Sequence, residues 1–211
     1  QFNGQRILGI PGFTGNQNLA VGFSTGVGLS NGDNNSLFGF RAGMNLINGS
    51  ENSFFGVSAG AANQIGNNNS FFGKGSGILN NGGDNNTFVG YHAGQANTEG
   101  DSNSFFGMYA GQSNVTGNWN SFFGHYAGRF TTSSQNTFIG QNAGITNETG
   151  GQNTALGFGT NFGLNSLNYA TVIGAGATVS SSKTIQLGRD GVDAVRIGLY
   201  PGGGSTPVCT L

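Results

Sequence analysis

Asn103-Ser104-Phe105-Phe106-Gly107-Met108-Tyr109-Ala110-Gly111 decides the fold, because variants of this phrase return along most of the chain. Asn52-Ser53-Phe54-Phe55-Gly56, Asn69-Ser70-Phe71-Phe72-Gly73 and Asn86-Thr87-Phe88-Val89-Gly90 repeat it, each with a small residue and Gly following. The opening Asn falls at 18, 35, 52, 69, 86, 103 and 120, a spacing of 17, then at 136 and 153 after one deletion. A fixed period of this size marks a solenoid, whose units stack on one another and are not stable alone. The expected fold is all-β, a parallel β-solenoid of roughly 17-residue coils.

Each unit reads as a short strand, a Gly, a second short strand ending in Ala-Gly, and a polar loop with its own Gly at Gly32, Gly49, Gly66, Gly83, Gly100, Gly117 and Gly150. Glycines at three fixed points, among them Gly56, Gly73, Gly90, Gly107, Gly124 and Gly140, are expected where the chain needs positive φ or close backbone approach. Helix is disfavoured by so much Gly, Asn, Ser and Thr and by the missing 3.6-residue period. The repeated Asn residues, often paired as in Asn34-Asn35, Asn68-Asn69 and Asn85-Asn86, fit side-chain amide ladders between coils about 4.8 Å apart.

Two adjacent aromatics carry the argument about assembly. Successive strand residues face opposite sides. The column Leu37, Phe54, Phe71, Phe88, Phe105, Phe122, Phe138 therefore faces away from the column Phe38, Phe55, Phe72, Val89, Phe106, Phe123, Ile139. A coil this thin, with small Ala59, Ala93, Ala110, Ala127 and Ala143 opposite, has room for one column inside. Leaving the other in water forfeits roughly 10–20 kcal/mol of burial over seven side chains. The expected remedy is self-association on a common axis; a wider monomer enclosing both columns is the alternative.

Composition excludes several classes. Glycine supplies 42 of 211 residues, but no Gly-X-Y triplet repeats and the 18 Phe residues keep register with the glycines, which argues against collagen and disorder. A net charge of -1 gives no electrostatic basis for binding nucleic acid. No apolar run approaches the roughly 20 residues of a membrane-spanning helix, so a soluble or surface-displayed chain without membrane insertion is expected. The organisation expected is an imperfect coil over 1–17, regular coils over 18–178, narrowing coils over 179–198 and a linker or tail over 199–211. The narrowing shows in spacings of 14 and then 10 residues, through Thr184-Ile185-Gln186-Leu187-Gly188 and Ala194-Val195-Arg196-Ile197-Gly198. Cys209 has no partner cysteine in the chain, leaving an interchain bridge or a plain tail residue open. The start at Gln1, without a basic and apolar leader, fits either a removed signal or a fragment.

The phrase N-[ST]-x-[FVI]-G-x-x-A-G at Asn86–Gly94 and Asn103–Gly111 resembles the head repeats of trimeric autotransporter adhesins. It is more similar still to shaft repeats of phage tail fibres and bacterial surface fibres. The stretch Thr184 to Gly198 is similar to the segment that precedes an endosialidase-type intramolecular chaperone domain in many such fibres; no such domain lies within these residues, so its self-cleavage is not carried over. The resemblance covers about Asn18 to Gly198 and implies a left-handed parallel β-roll in a homotrimer, extracellular on a cell or virion. Autotransporter heads usually have shorter coils, with aliphatics where this chain has Phe.

Chemistry is sparse. Asp33, Asp84 and Asp101 share the place after the loop Gly, where other units have Ser50, Asn67 or Asn118, an exchange that predicts turn capping. Neither paired carboxylates for glycoside hydrolysis nor His and Cys at metal-ligand spacing emerge, so no enzyme activity, metal or cofactor is expected. His92 and His125 stand in different columns and are expected to face solvent. Arg41, His92, Tyr109 and Tyr126 share one exposed column and are the candidate contacts for a host-surface glycan or receptor; packing along the stack is the competing role. The expected function is a structural and adhesive fibre segment, with a tailspike polysaccharide-degrading enzyme and an ice-binding solenoid as alternatives.

Overall fold

A computed structural model describes residues 17–193. The expectations for the degenerate coil around Ile7-Leu8-Gly9, for the last spacing through Ala194–Gly198 and for the tail with Cys209 lie outside the described residues. The described chain is a parallel β-solenoid of about 10 coils of ~17 residues, without helix. One strand per coil runs through β1 (Leu19–Val21), β2 (Ser36–Phe38), β3 (Ser53–Phe55), β4 (Ser70–Phe72), β5 (Thr87–Val89), β6 (Ser104–Phe106), β7 (Ser121–Phe123), β8 (Thr137–Ile139) and β9 (Thr154–Leu156). Then come β10 (Asn161–Phe162), β11 (Thr171–Ile173), β12 (Thr178–Val179) and β13 (Ile185–Leu187). All but β10 and β12, which pair with each other, form one 11-stranded parallel sheet. Register is strict: Phe54 pairs with Phe71, Phe71 with Phe88, and Thr171 with Ile185 where the spacing shortens to 14.

Columns are named below after the coil Asn52–Asn68. The expected second strand is replaced, in the coils before β10, by a ladder of tight turns. Ser58 at φ 56° and Gly60 at φ 56° turn alternate peptides. Ala59, Ala61 and Asn63 thus donate within the coil to the carbonyls of Gly56, Ser58 and Gly60, while Gly60 and Ala62 donate to Ser76 and Ile78 of the next coil. A strand would send successive amides to alternating sides in extended geometry; here every second amide is spent locally. Only where Asn161 replaces the Gly of this column does the segment extend into β10.

Inside the coil one ring fits. Phe54, Phe71, Phe88, Phe105, Phe122 and Phe138 are fully buried and stack with centroids 4.8–4.9 Å apart, the strand spacing itself. Each lies against the Gly of its own coil: a Cβ on Gly94 would sit 2.5 Å from the Phe88 ring. Elsewhere volume is exchanged between columns. Ala20 and Leu37 at the N-terminal end are offset by buried Leu29 and Leu46, where later coils have Asn63 or Asn80. Where the inner column drops to Ala155, Phe162 fills the space, 5.5 Å from Phe138 and tilted by 46°.

The buried amides of the Asn52 column are satisfied axially, whereas in the Asn63 column Asn97 Oδ1 and both amide atoms of Asn114 are buried without a partner. Asn103 Nδ2 donates to Gly117 O at 2.7 Å, and its Oδ1 accepts from Asn120 N at 2.9 Å; the acceptance recurs from Asn35 to Asn153, while in the shortened coil Asn136 Nδ2 turns instead to Ser133 Oγ and Ser134 O. Asp84 and Asp101 do cap backbone amides, of the preceding coil: Asp84 Oδ1 accepts from Asn67 N at 2.6 Å and Asp101 Oδ1 from Asp84 N at 2.8 Å. The loop Gly needs no positive φ, but a Cβ on Gly83 would stand 2.5 Å from Gly100 O.

Gly94→Ala combines this ring clash with a left-handed φ of 58° and is expected to cost about 2–4 kcal/mol. Gly159, at φ 62° with open space around it, isolates the backbone cost, so Gly159→Ala should lose only about 1–2 kcal/mol; chemical unfolding of both variants measures the difference. Asn103→Ala leaves Gly117 O and Asn120 N buried without partners and is expected to lose about 2–5 kcal/mol. An unchanged unfolding midpoint would refute the ladder's structural weight.

Candidate functional site: an aromatic stripe and a polar ledge

The strand's outer face carries the second aromatic column. Phe55, Phe72, Phe106 and Phe123 stand outside the coil, and Phe72 and Phe123 are each 40% exposed. Phe38, Phe55 and Phe72 stack at 4.7 and 4.9 Å, as Phe106 and Phe123 do at 4.7 Å. The single chain thus encloses one Phe column and leaves the other in solvent; a lumen holding both is not formed. Beyond the Gly56 column the apolar surface continues through exposed Phe40, Val57, Tyr91 and Met108. Gly56 itself, at φ 144°, is where the coil turns off the sheet, and a Cβ there would meet Gly73 O at 2.5 Å. Gly73, Gly90, Gly107, Gly124 and Gly140 repeat both features, as the sequence predicts.

Arg41, His92, Tyr109 and Tyr126 do share one column, the Ser58 column, all with φ between 52° and 61°. Ser24, Ser58 and Asn142 adopt the same conformation, so the left-handed backbone belongs to the repeat and marks no special site. The structure brings three of the four together. His92 stacks on Tyr109 at 5.9 Å and Tyr109 on Tyr126 at 5.4 Å, whereas Arg41 is separated from them by Ser58 and Gly75. Their ring faces are turned toward one another along the rod, and the side presented outward is their edge. The histidines are not simply solvent-facing: His92 Nδ1 and His125 Nε2 are buried atoms, with His92 lying over the bare backbone of Gly75 and His125 stacked on Tyr126 at 3.8 Å.

Sequence reasoning missed Arg129. Its guanidinium lies 4.7 Å from the Tyr126 ring centre and 4.9 Å from that of Phe130, and Nε donates to Gln112 Oε1 at 2.8 Å. Gln112 Nε2 in turn donates to Gln95 Oε1 at 2.9 Å. The signal was present as the 17-residue spacing of Gln95, Gln112 and Arg129, three residues beyond the aromatic column. Lys74 lies 5.7 Å from the Tyr91 ring centre, so the ledge has a cation at each end. Partial burial raises the Tyr109 pKa, as does its hydrogen-bonded neighbour Tyr91, against the opposing charge of Arg129. Burial lowers the His92 pKa from its ordinary 6.5 and the charge of Lys74 lowers it further, against the hydrogen bond with Gln95.

Among the described residues no three of His, Cys, Asp and Glu gather where a metal ion could be held, and no helix is long and apolar enough to cross a membrane. No protein-family model, curated protein or solved structure matches the chain.

A depressed histidine pKa means the neutral form is the one the fold prefers. The contribution is complete above the unfolded value of 6.5 and is lost as pH falls through the lower folded value. Unfolding midpoints at pH 7.5 and 5 should therefore diverge more for the wild type than for His92→Asn, which keeps a residue tolerant of this φ. Equal divergence would show that His92 does not carry the effect.

Proposed function

We propose that this chain is a segment of a fibre: a rigid homotrimeric rod, displayed on a cell or virion surface, that supports attachment to a host or another surface. The observation that carries the reading is the outer aromatic stripe. Phe72 and Phe123 at 40% exposure, Ile139 and Leu156 at 42%, and their neighbours run the length of an 11-stranded sheet. Its five rings offer at most about 60–100 Å² of exposed surface each, roughly 300–500 Å² together, and exposed Ile139, Leu156, Ile173 and Leu187 extend the same stripe. Rings and aliphatics together make a continuous apolar band of the size that marks an interaction surface.

Geometry favours a closed bundle of parallel rods. Ten steps of about 4.8 Å make a stripe roughly 48 Å long and only one or two side chains wide. Three such stripes meeting on one axis cover one another without leaving an open edge for further growth. The repeat resembles fibre shafts, and that likeness favours three chains over two. A rod stiffened by axial hydrogen bonds in every coil suits a part that sets reach, with the attachment it supports made along its outer surface or at its ends.

Sedimentation of the full chain tests this directly: the expected mass is three times that of one chain. Phe72→Ser combined with Phe123→Ser should shift it toward monomer while the β-type circular dichroism persists, because both rings lie outside the coil. A monomeric wild type at micromolar concentration would overturn the reading.

A further inference from the structure

Charge on the regular coils is sorted by column. Between Asn18 and Tyr169 every carboxylate lies in the segment that leads into the strand: Asp33, Glu51, Asp84, Glu99, Asp101 and Glu148 all fall in the Gln64 to Asn68 columns. Every Lys and Arg of the same span lies in the segment that leaves the strand, Lys74 in the Val57 column, Arg41 in the Ser58 column and Arg129 in the Ala61 column. The sheet's outer face, with its Ser/Thr and Phe columns, therefore has an acidic edge on one side and a basic edge on the other. Among the described residues, none of Arg41, Lys74, Arg129, Glu51, Asp84 and Glu148 is in an ion pair, whereas Arg189 and Asp193 are, at 3.1 Å.

We propose that neighbouring chains of the rod run parallel and in axial register, with the acidic edge of one seated against the basic edge of the next and the Phe55 stripes turned to the common axis. The proposal rests on the fibre reading and specifies its partner surface. A ring of identical chains joins two different patches at every contact, and the acidic and basic edges are two such patches. Rotation about an axis parallel to the rod leaves each coil at its own height, so residues of one coil meet across the seam. Arg41 and Glu51 belong to the coil 35–51, and Lys74 and Asp84 to the coil 69–85. Ten residues along a coil rise about 3 Å, well within the reach of these side chains. Arg129 faces Glu148 one coil on, about 5 Å higher.

The alternatives fare worse, one on charge and the other on closure. An antiparallel pair with its sheets face to face would bring acidic edge against acidic edge and basic against basic. A stagger of one coil would set Lys74 opposite Glu99 and Asp101 but Arg41 opposite the uncharged loop Gln64 to Asn68, and, being a screw, it would not close. In the parallel arrangement the ledge of Tyr91, His92, Tyr109 and Tyr126 comes to lie along the seam. Its cation-flanked ring edges then contact a second copy of the chain.

The test is a charge swap between two exposed residues whose side chains hold no part of the coil ladder. In the full chain, Arg41→Glu alone and Glu51→Lys alone are each expected to raise the trimer dissociation constant about three- to tenfold, because symmetry repeats the seam three times. The double variant R41E/E51K should return to within about twofold of wild type, since the pair is re-formed with its signs reversed. Sedimentation over a dilution series reads this, and the rate of subunit exchange replaces it where dissociation is too tight to follow. A trimeric wild type whose double variant is no better than the singles would overturn the paired edges and leave the fibre reading standing. A monomeric wild type would remove both.

Discussion

Coils spaced by backbone hydrogen bonds, about 4.8 Å apart, are the constraint on which everything else in this molecule depends. Every inward side chain sees its own copy at that distance above and below, so a residue is admitted only if it is compatible with itself. Phenylalanine qualifies because flat rings stack at 4.8 Å. Asparagine qualifies because one amide both donates and accepts, and Asn52 Nδ2 reaches Asn35 Oδ1 at 3.1 Å. A buried ionised side chain would fail, since like charges would stack at the closest approach. Asp84 and Asp101 follow one another only at the surface, where each carboxylate takes a backbone N–H from the coil before.

The same spacing explains why glycine recurs for two different reasons. At the Gly60 column the backbone is left-handed and the inner ring occupies the place of a side chain, whereas at the Gly66 column φ is ordinary and the next coil's carbonyl occupies it. The Ser58 column shares the left-handed φ yet accepts Arg41, His92, Tyr109 and Tyr126, because its Cβ points away from the coil. Steric room inside, and not φ alone, selects glycine at the Gly60 column.

Much of this was legible in the sequence. The period fixed the register, the alternation of Phe54 and Phe55 put one ring in and one out, and the exchange of Asp with Asn and Ser identified capping. The turn ladder was not legible, because Ser58-Ala59-Gly60-Ala61 alternates small residues as a strand would, and only the backbone dihedrals separate the two. The compensation of Ala155 by Phe162 escaped for another reason: it exchanges volume between columns, and reading down single columns hides it. Of the candidate ledge, the aromatic column was visible by its spacing. Its cations were not, since Lys74 and Arg129 occupy different columns and meet the rings only in three dimensions.

Two kinds of apolar surface in one strand have separate physical duties. The Phe54 column is enclosed by its own coil, and the Asn52 column beside it is hydrogen-bonded by neighbouring coils, so the outer column adds nothing to closure of the core. The outer rings do gain some contact by stacking at 4.7–4.9 Å, yet two-fifths of Phe72 and of Phe123 still meets solvent. A lone soluble rod would be better served by Thr or Lys in that column, which suit an exposed strand face at no cost in sticky surface. On the proposed fibre reading the rings meet another apolar surface of the same length and pitch, and the identical stripe of a second copy matches both.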